Sequence, residues 1–448
     1  MLDVSIEKEL YVAEFTRREN ALGGQSPAWL RAIRKAAIAH FAEIGFPTTA
    51  QEEWRFTSVA PIAGTKFDVA SGARGAISRA DVARHGFGDA VAAELVFVDG
   101  SYSPGLSNVS ALPSGTTAAN IAALLAAKPA QLEPHLGRHV NTGANPFAAL
   151  NTALFDDGAF VQIPDGAILS KPIHILFVTT SQTTPVATFP RVLVVAGRNS
   201  QATVVESHVG AGIGAYFSCP VTEVVAAENA IVNVVKLEEE SPRAYHVGVT
   251  QCVLARSSTA AHYNVSLGAA ITRNDVNALI ADEGAEARLD GLYVASGKRL
   301  VDNHTQIEHA MPHCASREIY KGVLDGEARA VFNGRIIVRK DAQKTDSKQT
   351  NRNLLLSEDA TVYTNPQLEI FADDVRCTHG ATIGHLDDEA LFYMRSRGIS
   401  KEMAGSLLIY AFASEVIDRI PFDTARIRLE RALFARLAGG GADGDPTS

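Results

Sequence analysis

The sequence predicts a mainly β fold, a parallel β-helix (solenoid) with helical segments at both ends. The first observation is a weak internal repeat that has no helical pattern between its copies. A small residue opens a short apolar strand at intervals of roughly 30 residues, at Ala202, Ala230, Ala261, Ala287, Ala330 and Ala360. The second observation is turn chemistry at matching places in two copies, Asp290-Gly291 and Asn333-Gly334. Stacked units of this kind bury their apolar faces only against their neighbours.

The ends of the chain provide the third observation, because a solenoid needs its open ends covered and both termini show helical patterns. A β-sandwich is the alternative fold. It would need two-residue hairpin signals between alternating strands, and the hairpin signals present are not flanked by convincing partners. The sequence therefore favours the solenoid over the sandwich.

The element pattern divides the chain into five parts. Ser26-Pro27 is a typical helix start, and Gly45 and Pro47 end that helix. Ala118 to Ala127 is predicted to form another short helix. The predicted parts are an N-terminal helical domain (1–95), a mixed strand and helix connection (96–156), the parallel β-helix core (157–385), a C-terminal helical domain (386–437) and a disordered tail (438–448).

Composition excludes several classes of protein. At 448 residues and 46% hydrophobic content the chain can bury a large core. The net charge of −9 without a basic block argues against a nucleic-acid partner. Its apolar runs are shorter than the roughly 18–20 residues of a membrane span, so no membrane partner is expected. The acidic N-terminal stretch does not match an export signal, and four scattered cysteines fit reduced thiols, which predicts a cytoplasmic protein.

Two groups of residues could carry chemistry. Cys377 and His379 alternate along a predicted strand, so both side chains point to one face. Taken alone, such a pair is more often a half-buried cysteine and an ordinary core histidine. The second group, in a segment of twelve residues, could form a stand-alone metal site, but its spacing matches no zinc signature. That group is His304, His309, His313 and Cys314.

Catalytic motifs are absent from the sequence. It contains no phosphate-binding loop, no G-x-S-x-G elbow and no H-E-x-x-H helix. A carbohydrate-active enzyme on a β-helix is an alternative, but it would need a carboxylate cluster on one solenoid face and usually an export signal. We therefore predict a protein that is not an enzyme and has no permanently bound cofactor.

Several segments together resemble a known family. They are Glu53 to Thr57, Asp157 to Phe160, Lys171 to His174, Glu308 to Arg317, and above all Asp373 to Thr382 with Phe392 to Ile399. With the solenoid pattern they make the chain similar, over nearly its full length, to the SufB/SufD family, scaffold subunits of the SUF iron-sulfur cluster assembly machinery. The resemblance implies a right-handed parallel β-helix flanked by helices.

The two branches of that family differ at one position. The B-type subunit carries a functional cysteine where this chain has Met394, and a thioether cannot form a thiolate. The resemblance therefore favours the D-type branch, with a B-type paralogue as the alternative. It also implies that His379 lies at the contact between the two subunits and takes part in cluster building as a transient iron ligand. Cys377 maps onto the family cysteine with weaker support.

The resemblance further implies a set of partners. A SufB-like subunit would pair through the β-helix, and a SufC-like ABC-type ATPase would dock on the C-terminal helices. We assign four residues to that docking surface, Arg397, Gly398, Leu408 and Phe412. A transient iron-sulfur cluster would form at the interface with the partner subunit. An isolated chain is expected to be able to form a homodimer.

Overall fold

Two long sheets dominate the structure, a computed structural model that describes residues 4–22, 24, 26–72 and 77–438. The first sheet is built from β1 (Asp68–Val69), β4 (Thr117–Asn120), β5 (Gly158–Ile163), β7 (Val186–Thr188), β8 (Arg191–Ala196), β10 (Tyr216–Ser218), β11 (Val221–Ala226), β13 (Ala244–Leu254), β15 (Ile271–Ile280), β17 (Leu300–His309), β19 (Arg329–Val338) and β21 (Thr361–Ile370). The second contains β2 (Ala93–Val98), β3 (Ser101–Tyr102), β6 (Ile173–Thr179), β9 (Gln201–Gly210), β12 (Ile231–Glu239), β14 (Thr259–Ser266), β16 (Glu286–Ala295), β18 (Ala315–Leu324), β20 (Asp346–Leu355) and β22 (Arg376–Gly384).

Helices lie before and after the sheets. They are α1 (Val4–Leu22), α2 (Ala28–Ile44), α3 (Ala60–Ala63), α4 (Arg79–His85), α5 (Ile121–Ala127), α6 (Pro146–Leu154), α7 (Asp388–Ser396), α8 (Lys401–Ile417) and α9 (Asp423–Ala438). Short 3-10 helices span Glu52–Trp54, Gly88–Ala90 and Pro129–Gln131. No helix of the described residues has the length and apolar character needed to cross a membrane.

Successive long strands alternate between the two sheets, and each pairs in parallel with strands one rung away. We call one strand of each sheet, with its connections, a rung; the described residues form about eight of them. Parallel strands need crossover connections, and here the next strand of the other sheet is that connection. The predicted mainly β solenoid with flanking helices is confirmed.

The interior between the sheets holds the main apolar core. Valine and alanine side chains from successive rungs stack there, for example Val232, Ala260 and Ala287 at one register position. Each buried valine or leucine contributes roughly 1.5–3 kcal/mol relative to exposure. Because neighbouring rungs share these contacts, the core is continuous along the solenoid.

Helices cover part of the outer face of each sheet. On the first sheet, Phe147 of α6 packs against Phe217 with ring centroids 6.0 Å apart. On the second sheet, Ile417 of α8 belongs to one apolar cluster with Leu237 of β12. Because both faces of these strands are covered, their sequences do not show a clean alternation of apolar and polar residues.

Local signals mostly predict the helices correctly. Helix α2 ends at Gly45, whose positive φ of 64° suits glycine. Ser400 accepts a hydrogen bond from Met403 N at 3.2 Å, as an N-cap residue should. The predicted helix from Ala118 to Ala127 is wrong in its first part, because residues 117–120 form β4, which pairs with β5. That pairing outweighs the helix propensity of two alanines.

The element bounds can be compared with the predicted boundaries of the five parts of the chain. Strand β2, which starts at Ala93, pairs in parallel with β6, so the second sheet includes a strand that precedes residue 157. The last strand ends at Gly384 and α7 begins at Asp388. Apart from Ala438, the tail predicted to be disordered lies outside the described residues.

The two ends of the solenoid differ. At the first end, β4 pairs antiparallel with β5 and β3 pairs antiparallel with β2, which closes the rung. At the last end, β21 pairs only with β19 and β22 only with β20 within the described residues. The last rung therefore presents two long strand edges and the end of the interior, which we call the open end.

Candidate functional site

The open end exposes both backbone and apolar side chains. Phe371 is 58% exposed and Ile383 48% exposed. Tyr363 of β21 is covered in part by Phe56, with stacked rings 4.0 Å apart. Unpaired strand edges of this length are a ready template for another chain, and proteins normally cover or blunt them. The open end is therefore the part of the solenoid best suited to bind a partner.

Cys377 and His379 both lie on β22, at positions that point toward the solenoid interior. In the register of the second sheet, Cys377 is opposite Ser347 and His379 is opposite Gln349. The same position of an earlier rung is Leu289, which belongs to the main interior core. The predicted alternation is therefore present, and the pair forms the last polar step of an inward-facing column.

Cys377 is half-buried, whereas His379 is exposed. The Cys377 side chain packs beside the apolar cluster that contains Ile336 and Val338. Burial raises the pKa of the Cys377 thiol, the nearby negative charge of Asp346 adds to this, and a backbone hydrogen bond at Ser347 opposes it. Because the thiolate is the metal-binding form, Cys377 in the free chain is a weaker ligand than an ordinary cysteine.

Polar side chains continue the column behind both residues. Behind His379, Gln349 Nε2 donates to Glu318 Oε2 at 2.8 Å. Behind Cys377, Ser316 Oγ donates to Ser347 Oγ at 2.8 Å, and His309 Nε2 lies 2.9 Å from Ser316 Oγ. Burial raises the pKa of Glu318 to about 7 and lowers that of His309 to about 4. In the folded chain Glu318 therefore keeps its proton up to about pH 7, and His309 is neutral above about pH 4.

These supporting residues were missed at the level of sequence. A signal for them exists in the rung spacing, since residues about 30 positions before Cys377 and His379 occupy the same column. One rung before Cys377 and His379, the residues at the same register positions are Ser347 and Gln349. Two rungs before, they are Ser316 and Glu318.

The group proposed as a stand-alone metal site is distributed over four environments. His304 faces outward, between Asp302 at 3.0 Å and Glu53 at 3.1 Å, and this pair of carboxylates raises the His304 pKa to about 9. His309 is buried in the interior, and His313 lies in a turn with a positive φ of 58°. Cys314 Sγ donates to the Asp282 carbonyl at 3.3 Å. Within the residues described, no cluster of three or more His, Cys, Asp or Glu side chains could hold a metal ion.

The residues assigned to ATPase docking lie in the turn after α7 and on α8. Arg397 is exposed, and its guanidinium lies 5.1 Å from the ring centre of Tyr393. Gly398 has a φ of 86°, which lets the chain turn between the helices. Leu408 is half-buried. Phe412 packs toward the solenoid, with its ring centre 4.4 Å from Lys321 Nζ.

The same region exposes aromatic side chains that the sequence had not singled out for docking. Phe392 is 75% exposed and Tyr393 is 59% exposed, both on α7, and Met403 at the start of α8 is 55% exposed. Met394, the position predicted to separate the two family branches, is half-buried beside them on α7. Clustered aromatic and methionine side chains of this kind are enriched in protein interfaces.

Comparison with known proteins identifies the family. Residues 177–412 match the family model described as the SUF system FeS cluster assembly, SufBD core domain. Residues 5–175 match the SufBD protein N-terminal region. Together the two matches span both the helical N-terminal part and the solenoid.

Individual relatives agree with the family models. The chain is 34% identical over 441 residues to an iron-sulfur cluster assembly SufBD family protein of Synechocystis sp., covering 96% of each chain. It is 31% identical over 404 residues to the iron-sulfur cluster assembly protein SufD of Escherichia coli, covering 88% of this chain and 90% of the relative. The predicted resemblance is confirmed, and the chain belongs to the SufBD family, which functions in iron-sulfur cluster assembly.

Proposed function

We propose that the chain is the non-catalytic, SufD-like scaffold subunit of a cytoplasmic cluster-assembly complex, with His379 as a transient ligand of the cluster. The observation that carries this proposal is the open end, where the last inward-facing polar positions of the solenoid are Cys377 and His379. A soft sulfur and a borderline nitrogen donor on one strand face suit iron. The cluster is cargo that passes through the complex.

A second β-helix is the partner that the open end fits best. Strands β21 and β22 each lack a neighbour on one side within the described residues, so a SufB-like subunit with similar strand edges could continue both sheets. The partner would then supply ligands that complete the set offered by His379. Without that subunit, a second copy of this chain could occupy the same surface, which accounts for the expected homodimer.

The sequence contains no phosphate-binding loop. Energy from ATP for cluster assembly must therefore come from a separate subunit. We assign a SufC-like ABC-type ATPase to the surface formed by α7, the following turn and the start of α8. The exposed rings of Phe392 and Tyr393 support this assignment, because such rings act as anchors in interfaces. Movement driven by ATP would then change how the two scaffold subunits lie relative to each other.

Substitution of His379 by alanine tests the cluster role. Purified with its partners, the His379→Ala complex should keep its composition and bind less cluster by roughly tenfold or more. Loss of the residues behind a metal ligand already costs about 10–100-fold in metal affinity, and loss of a ligand should cost at least as much. Iron and sulfide content per complex, with the absorption spectrum, measure the effect.

Thr378→Ala is the matched control, because Thr378 is exposed on the same strand and points to the opposite face. It should leave cluster content unchanged. Wild-type cluster content in the His379→Ala complex would refute the proposed ligand. Unfolding of the variant would instead indicate that His379 has a packing role.

Substitution of Phe392 by alanine tests the ATPase surface. It should reduce co-purification of the ATPase by roughly tenfold or more, since truncation of an interface anchor costs about 2 kcal/mol or more. Pairing with the SufB-like subunit should be unaffected. Ile427→Ala, at a 47% exposed apolar position on α9, is the control. Unchanged recovery of the ATPase with Phe392→Ala would contradict this docking surface.

A further inference from the structure

Three rungs place one polar residue each at the register position of His379. Glu318 of β18 pairs with Gln349 of β20, and Gln349 pairs with His379 of β22. Neighbouring strands are roughly 4.8 Å apart, so each side chain is within reach of the next. Glu318 and Gln349 are 3% and 1% exposed, whereas His379 lies at the exposed edge.

The Gln349 amide is held at one end only. Its Nε2 donates to Glu318 Oε2 at 2.8 Å, toward the inner rung, while its Oε1 has no hydrogen-bond partner among the described residues. Oε1 is bonded to the same carbon as Nε2 and diverges from it, so it is not used by Glu318, and His379 is the register neighbour of Gln349 on the outer rung. A buried acceptor without a donor is unfavourable, so this atom is available for a partner.

The opposite sheet leaves room for this amide. Gly334 of β19 faces Gln349, and a Cβ atom at that position would lie 2.3 Å from Gln349 Nε2. A side chain at Gly334 would therefore displace the amide from Glu318. Within the described part of the chain, no basic residue forms an ion pair with Glu318. The polar group that contacts the Glu318 carboxyl from the outer rung is the Gln349 amide.

We propose that Gln349 is a positioning residue for His379: its Oε1 accepts the ring N–H of His379 that does not face iron, and Glu318 fixes the amide. The inference rests on the proposed function, in which His379 binds the cluster. A metal-binding histidine almost always donates its second ring N–H to an acceptor, which fixes the tautomer and the ring orientation. Gln349 supplies that acceptor from within this chain.

Two substitutions at Gln349 test the acceptor in the complete complex. Gln349→Met keeps an unbranched side chain of similar size and removes the acceptor. It should speed the removal of iron by a chelator about 10–100-fold. Gln349→Glu retains an acceptor oxygen toward His379, and a proton shared between the two carboxyl groups can replace the Nε2 donor to Glu318, so this variant should restore slow release. Rescue by Glu and not by Met separates hydrogen bonding from packing; equal lability of the two variants, or wild-type release from Gln349→Met, would overturn the inference.

A spectroscopic measurement separates this inference from the proposed function. With 15N-labelled histidine, pulsed EPR of the reduced complex should show nitrogen coupling to the cluster, and His379→Ala should abolish it. Persistence of the coupling in His379→Ala would refute His379 as the ligand. If His379→Ala removes the coupling while Gln349→Met behaves as wild type, only the positioning role fails.

Asn351→Ala is the matched control for loss of a buried amide. Asn351 lies on the same strand at the next inward position, opposite Ala381, and donates to Tyr293 Oη at 3.2 Å. Its substitution should lower stability without changing the rate of iron release. Faster release from Asn351→Ala, equal to that from Gln349→Met, would show that general loosening of the rung explains both and would overturn the inference.

Discussion

Replacing Arg191 by methionine should lower the free energy of unfolding by about 3–5 kcal/mol, because it leaves the carboxylate of Glu223 buried without its partner. Both side chains are fully buried, and their ion pair joins Arg191 Nη2 to Glu223 Oε2. Burial alone would raise the pKa of Glu223, but Arg191 and backbone donors hold it below the ordinary value. Chemical denaturation of the purified chain measures the loss.

The pair is costly to break because it also joins the N-terminal segments to the first sheet. Arg191 Nη1 donates to Asn151 Oδ1 at 3.0 Å, on α6. Glu223 accepts from the backbone N–H groups of Gly137 and His139 at 2.8 and 2.9 Å. Substitution of Arg191 therefore weakens contacts on both sides of the boundary between helices and solenoid.

Arg198→Met provides the control for removing an arginine from an Arg–Glu pair. Arg198 pairs with Glu228 beside the same strands, but its side chain is 63% exposed. Exposed ion pairs contribute about 0–1 kcal/mol, so this variant should unfold close to the wild type. If Arg191→Met and Arg198→Met lower the free energy of unfolding equally, burial of the Arg191–Glu223 pair does not make it costly to break.

The solenoid could be predicted from the sequence because its apolar signal repeats. The turns predicted at Asp290-Gly291 and Asn333-Gly334 are wrong, because these residues lie inside β16 and β19, where their pairing with neighbouring strands outweighs their turn preference. The small residues that open strands at Ala230 and Ala287 do occupy the interior core, one rung after another. Because the same pattern recurs in several rungs, the prediction of a strand does not depend on any one short apolar segment. The segment before the solenoid has no such repetition, and there the helix predicted from Ala118 overlapped a strand whose pairing partner lies about 40 residues away.

The candidate site could be predicted only in part. The alternation of Cys377 and His379 follows from the two-residue period of a strand, and the structure places both on one face. Their exposure did not follow, because it depends on where the solenoid ends. The amide behind them also could not be assigned to the interior, because the inward positions of β20 are themselves polar and give no apolar signal: Ser347, Gln349, Asn351 and Asn353.

Charged groups deep in the interior are the largest difference from the predicted apolar core. Lys236 Nζ lies 2.8 Å from Glu238 Oε1, and His246 Nδ1 lies 2.7 Å from Glu240 Oε2, all between or beside the sheets. Burial of such groups is favourable only when partners satisfy them. Lys236 and Glu238 lie on the same strand, and Glu240 and His246 lie on the two sides of the next turn. The two-residue period of a strand puts such groups on one face but does not say that this face is the interior.

The contribution of Glu318 to stability should fall as the pH rises from about 4.5 to about 7. Burial raises the pKa of this carboxyl in the folded chain to about 7, from an ordinary value of 4.5. The folded state therefore binds a proton that the unfolded state has released, and stability from this group is lost as pH rises through 7. The difference corresponds to about 3 kcal/mol at pH 8.

Glu318→Gln should remove that loss, because an amide is neutral at every pH and can still accept from Gln349 Nε2. Relative to the wild type, the variant should gain about 3 kcal/mol in free energy of unfolding between pH 4 and pH 8. Denaturation curves at both pH values measure this difference. Glu327→Gln, whose parent side chain is 63% exposed, should change stability equally at both pH values. Parallel behaviour of Glu318→Gln and the wild type would show that folding does not raise the pKa of Glu318 and would contradict this prediction.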